Sequence, residues 1–215
     1  MALTKFNFNS FDVTTAASSG LAFNSNANGF TTAAAGAMTL ISTSTATNAS
    51  SLSITSGIDG TYDTYLFKFI NINRGTGGTS EFGFNFSIDG GSNYNVSKTT
   101  TMFIAYGRES SSTEALTYRT GNDLAQGTGI QHFMAPGDGF GAGTASGGAL
   151  YLFSPSSTTF VKHFIGVSNH EGESGLTING FVGGYCNTTS AVNAITFKKE
   201  SGVFSGTVKM YGITK

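Results

Sequence analysis

Between positions 81 and 88 apolar and polar side chains alternate without a break. Phe82, Phe84, Phe86 and Ile88 share one parity, and Glu81, Gly83, Asn85 and Ser87 the other. A period of two is that of a β-strand with one buried face, and a helix would scatter those four apolar groups around its axis. The stretch therefore predicts a strand with Phe82, Phe84, Phe86 and Ile88 pointing inward. Asp89-Gly90-Gly91-Ser92 follows, all residues that tolerate positive φ, and positions 93–106 are β-branched through Val96 and Thr99 to Thr101. The expectation is a hairpin with a returning strand.

Similar short β runs read at 38–41, 52–54, 62–73, 116–120, 129–134, 149–153, 158–167, 176–185, 194–198 and 207–211, most of them divided by glycine-rich punctuation. The run 62–73 is apolar on both parities at its centre, as in a central strand covered on both sides. Positions 136–148 are glycine-rich and read as a loop. No segment keeps a 3.6-residue period over three turns, and the nearest approach to a helical turn is 112–116. More than ten short strands with turns between them predict an all-β fold, a jelly-roll-like β-sandwich. The lack of a fixed repeat disfavours a propeller or a solenoid.

Composition narrows the function classes. Gly, Thr, Ser and Asn number 30, 30, 26 and 16, which is 102 of the 215 residues. Charged residues are 11%, against roughly 25% in an average soluble protein. A net charge of -1 with 11 Lys and Arg argues against phosphate-driven nucleic-acid binding. No apolar run approaches the ~20 residues of a membrane helix. A single cysteine, Cys186, leaves packing to hold the fold, and 19 Phe supply the material. The opening residues, Met1 to Asn7, carry no apolar h-region, so no signal peptide is expected.

Residues 1–36 differ from the rest. They carry Phe6, Phe8, Phe11, Phe23 and Phe30 without a sustained period, and Lys5 and Asp12 as their charges. Such a segment has little to bury against itself. We read it as an N-terminal arm that grips a neighbouring subunit or particle, and residues 37–215 as the sandwich.

No catalytic, cofactor-binding or metal-ligating residue is assigned. His132, His163 and His170 match no metal-ligand spacing. Cys186 closes a strand and reads as a small apolar residue. Asp59 and Asp63, and Glu171 and Glu173, are carboxylate pairs of the kind a glycosidase uses, yet Asp59 before Gly60 is more simply a turn residue. Residues 89–93 lack the distal Glu of a calcium loop. The glycine-rich stretches at 74–78 and 137–148 lack the Lys-Ser/Thr and helix of a phosphate cradle. Tyr106, Tyr118 and Tyr185, near loop ends, are the candidate loop contact surface for stacking on a glycan.

Five segments taken together carry a resemblance: Gly57-Ile58-Asp59-Gly60-Thr61-Tyr62-Asp63-Thr64-Tyr65, FSIDGGSNYNVSKTTT from Phe86, Leu124-Ala125-Gln126-Gly127-Thr128-Gly129, LYLFSPSSTTFVKHF from Leu150, and SGTVKMYGI from Ser205. The set resembles a family of virion structural proteins of tailed, especially marine, bacteriophages. The resemblance implies a non-enzymatic virion component, a tail or tail-fibre subunit, with a capsid decoration or head-fibre protein as the alternative and a polysaccharide depolymerase further behind. It implies copies of the chain as partners, a homotrimer by analogy, together with other virion proteins and a host-surface glycan or receptor. It implies a virion assembled in the host cytoplasm, and the charge and apolar runs above predict neither nucleic-acid binding nor membrane insertion.

Overall fold

The computed structural model describes residues 19–23, 30–34, 37–75, 81–112, 114–134, 143–172 and 175–213. The chain divides into two compact units, residues 1–39 and 40–215. Within the first, β1 (Ser19–Phe23) and β2 (Phe30–Ala34) pair antiparallel, with Phe23 opposite Phe30. These residues form a two-stranded antiparallel ribbon. Phe6, Phe8 and Phe11 lie outside the described residues.

The remaining strands are β3 (Met38–Ala49), β4 (Ser51–Ile54), β5 (Thr64–Arg74), β6 (Phe82–Ser87), β7 (Lys98–Arg108), β8 (Glu114–Tyr118), β9 (Gln131–Met134), β10 (Ser146–Phe153), β11 (Lys162–Gly172), β12 (Leu176–Cys186), β13 (Ala194–Lys199) and β14 (Phe204–Ile213). They form two antiparallel sheets, of order β3-β14-β5-β10-β11-β12-β7-β8 and β4-β13-β6-β9. Taking β3, β4, β5, β6, β9, β10, β13 and β14 in turn, the chain changes sheet at almost every step. These eight strands are a jelly roll, β3-β14-β5-β10 facing β4-β13-β6-β9. Two hairpins, β7-β8 and β11-β12, are inserted into it and widen one sheet to eight strands. The first crossing is nearly immediate: β3 ends at Ala49 and β4 starts at Ser51. Asn48, at φ +46°, turns the chain there, a conformation that Asn tolerates better than most residues.

The core between the sheets is built of phenylalanine. Phe67, Phe69, Phe82, Phe84, Phe86, Phe133, Phe164, Phe197 and Phe204 belong to one buried cluster. Their rings meet mostly edge to face, as Phe84 does with Phe164 at 5.3 Å and 90° and Phe69 with Phe197 at 5.1 Å and 80°. That is the geometry which the ring quadrupole favours. Phe82, Phe84 and Phe86 are fully buried, as their alternation predicts. Ile88 is not. It lies one residue beyond the end of β6 and is 43% exposed.

Three further expectations need correction. β6 and β7 do not form a hairpin; they lie in different sheets. Asp89 shapes the connection, accepting from Ser87 Oγ at 2.6 Å, from the Asn93 N–H at 2.9 Å and from Asn93 Nδ2 at 2.7 Å. These bonds hold its carboxyl down at about 2. Residues 93–97 then carry the chain across to the other sheet, and the polar parity of β6 is buried as well. The suggested helical turn at 112–116 overlaps strand β8, which gains a ladder along β7. The one short 3-10 turn among the described residues is Thr120–Asn122. Finally, β5 is central but covered unevenly: Leu66 is 4% exposed, whereas Ile70 on the same face is 40% exposed.

Candidate functional site: the outer face of the eight-stranded sheet

Alternation along β11 and β12 sends every second side chain away from the core, since β11 reads buried and exposed in strict turn from Lys162 to Gly172. Strand registers align the outward residues in rows across the sheet. One row runs Lys209, Lys68, Ala149, Val167, Phe181, Phe103 and Tyr118. The next runs Tyr211, Leu66, Tyr151, Ile165, Gly183 and Thr101.

This face is apolar and open. Phe103 (40%), Val167 (41%), Ile165 (52%), Tyr118 (53%) and Leu116 (73%) are exposed large hydrophobics. Phe103 and Phe181 stack at 4.9 Å and 12°, and Tyr151 stacks on Phe153 at 6.3 Å. Side chains on adjacent strands, and two residues apart along one strand, thus form an aromatic platform, the kind of patch that marks an interaction surface. Charges gather at its margins. Lys68 and Lys209 sit opposite each other, with the Lys68 ammonium 5.4 Å from the centre of the Tyr211 ring. At the other end Glu171, Thr177, Gly107 and Glu114 form one row.

Gly183 opens a gap in the platform, because a Cβ there would meet nothing within 4 Å. The gap is part of a shallow groove of about 480 Å³ bordered by Thr99, Thr101, His163, Ile165, Gly183 and Tyr185. The His163 and Tyr185 rings lie 5.8 Å apart beside it.

The three tyrosines of the candidate contact surface are not brought together. Tyr185 borders the groove, and Tyr118 stands at the far side of the platform with its hydroxyl 2.5 Å from Asp123 Oδ2. Tyr106 turns to the opposite face, against the buried cluster of Met102, Ile104, Leu176 and Ile178. The histidines are also apart. His163 is exposed, His170 is buried on the other face of the same strand, and His132 Nδ1 pairs with Glu81 Oε2 at 2.9 Å. Among the described residues no three His, Cys, Asp or Glu side chains gather as metal ligands. Asp59 has the turn role expected of it, its carboxylate accepting from the Thr61 N–H at 2.8 Å and the Tyr65 hydroxyl at 3.0 Å.

On the inner face the reading of sequence missed a buried cationic row. Lys98, Cys186 and Lys162 are register partners on β7, β12 and β11, and all three are fully buried. Burial pushes Lys98 down to about 8 and the Cys186 thiol up to about 12. The alternation of Lys162 with Phe164 was the one signal for its burial. Below pH 9 Cys186 is a thiol in both folded and unfolded chains. Its raised folded value means that its contribution to stability is lost as pH rises from 9 through 12. At pH 8 such a shift leaves roughly a thousandfold less thiolate than in the unfolded chain. Alkylation by iodoacetamide is therefore expected to be at least ~100-fold slower in the native protein than in guanidinium; equal rates would show an exposed or activated thiol.

Comparison of the chain with protein-family models, with curated proteins and with solved structures finds no match.

Proposed function

We propose that the protein is a non-enzymatic structural subunit of a tailed-bacteriophage virion, a tail or tail-fibre appendage that assembles with copies of itself. The observation that carries the reading is the outer face of the eight-stranded sheet, an exposed aromatic platform on a jelly roll with a closely packed core. A face of this kind costs solubility in a free subunit and gains stability once covered. Its charges suit a head-to-tail contact, with the Lys68 and Lys209 margin of one copy against the Glu114 and Glu171 margin of the next. Head-to-tail contacts that close make rings, and a homotrimer is the state we assign. The five segments that resemble virion proteins agree with this reading, and the loop ends of the sandwich are then free to meet a host glycan or receptor.

Two measurements test it. Light scattering on the purified chain is expected to give a trimer, and Phe103→Glu with Leu116→Glu to give a folded monomer. A monomeric wild type at micromolar concentration overturns the assembly reading. Quantitative mass spectrometry of the virion is expected to find about three to eighteen copies. Hundreds of copies would place the protein on the capsid surface, and none would remove it from the particle.

A further inference from the structure

Lys98 opens β7 in the eight-stranded sheet, and Asn85 lies in β6 of the four-stranded sheet. Both are buried, at 0% and 3% exposure. The Lys98 Nζ stands 2.5 Å from Asn85 Oδ1 and 2.9 Å from the Val96 carbonyl oxygen. That first contact is closer than the ~2.7–3.2 Å of an ordinary N–H···O hydrogen bond.

The Asn85 amide is held in one orientation. Its Oδ1 accepts from the Phe86 backbone N–H at 2.9 Å, and its Nδ2 donates to the carbonyls of Thr128 at 2.8 Å and Gly129 at 3.2 Å. Exchanging oxygen and nitrogen would place donor against donor and acceptor against acceptor. The Lys98 contacts are both neutral oxygens, so an ammonium here is desolvated without a counter-charge. Burial lowers its pKa to about 8, which leaves about a tenth of it as free amine at neutral pH. A desolvated lysine amine is an activated nucleophile.

We propose that Lys98 and Asn85 join in an intramolecular isopeptide bond that covalently ties the two sheets of the sandwich together. The neutral Lys98 amine attacks Asn85 Cγ, and the Phe86 N–H stabilises the oxyanion that forms on Oδ1. The Nζ–Cγ bond forms and the Cγ–Nδ2 bond breaks. One proton from Nζ passes to the departing nitrogen, which leaves as ammonia and takes up the proton that the ammonium first gave to solvent. No oxidant or cofactor enters the balance. The Thr128 and Gly129 carbonyls accept hydrogen bonds from the departing nitrogen. Asn85, Thr128 and Gly129 also border a pocket of about 350 Å³ through which ammonia can leave. The product replaces an uncompensated buried cation by a neutral amide. Lys162 is the internal comparison: it too is buried, but its Nζ meets the Phe160 and Thr188 backbone carbonyls and no side-chain amide.

The test uses the full wild-type chain and does not depend on the assembly reading. Its intact mass under denaturing conditions is expected to fall one ammonia, about 17 Da, below the sequence mass. Proteolysis is expected to yield a branched peptide joining the segments that hold Asn85 and Lys98. The full sequence mass, or two linear peptides, overturns the proposal. Cyclisation of Asn85 on its own backbone also loses ammonia, and Lys98→Arg separates the two. The variant is expected to regain the full mass and to melt on the order of 10 °C lower. A loss of ammonia that survives in Lys98→Arg is evidence against the crosslink.

Discussion

Phe84→Ala is expected to destabilise the fold by about 3–5 kcal/mol. The ring is fully buried and meets Phe86 at 5.2 Å, Phe133 at 5.6 Å and Phe164 at 5.3 Å. Alanine removes the buried ring surface and leaves a void lined by three stiff aromatic neighbours that close it poorly. For a domain of this size each kcal/mol is about 2–4 °C, so thermal melting followed by circular dichroism is expected to shift by on the order of 10 °C. Phe103→Ala, on the open face, is the comparison, with an expected effect within about 1 kcal/mol in a monomeric background. A Phe84→Ala melting temperature equal to wild type would mean that the ring is not in the core.

The second large effect separates two neighbouring glycines. Gly184→Ala is expected to cost at least about 1–3 kcal/mol by overpacking. Its Cβ would stand 2.5 Å from the Thr99 carbonyl oxygen, 2.7 Å from Thr100 Cγ2 and 3.0 Å from the Phe164 ring. Thr99 belongs to the paired backbone of β7 and has no room to withdraw. Gly183→Ala places a methyl group in open space and removes the conformational entropy of a strand glycine, worth roughly 0.5–1 kcal/mol. It is expected to be neutral or stabilising. Urea unfolding of the two variants reads the contrast, and equal midpoints would show that β12 does not approach β7 as described.

Several features were legible because they depend on near neighbours in the chain. The alternation of Phe82, Phe84 and Phe86 is a period-two pattern, and burial follows the pattern wherever the strand is flanked by others. The turn at Asp59 needs only the N–H two residues on. Ile88 marks the limit of such reasoning, since parity predicts burial and the end of the ladder cancels it.

The hairpin expected after Ser87 failed for a related reason. Asp89-Gly90-Gly91-Ser92 allows the chain to reverse, and local sequence does not say whether it returns beside β6 or crosses to the opposite sheet. The aromatic platform and the Asn85–Lys98 contact were not legible at all. Phe103, Phe181 and Tyr118 are neighbours only through the register of three strands, and Lys98 meets Asn85 only where two sheets converge.

The sequence by itself determined that this is an all-β chain with a phenylalanine core, since alternation and turn chemistry act over a few residues. Which strands share a sheet, which of two adjacent glycines is indispensable, and which lysine is forced against an amide were decided by tertiary structure. Each of these depends on backbone segments many residues apart approaching within a few ångströms, and close packing, unlike periodicity, leaves no mark on the order of the residues.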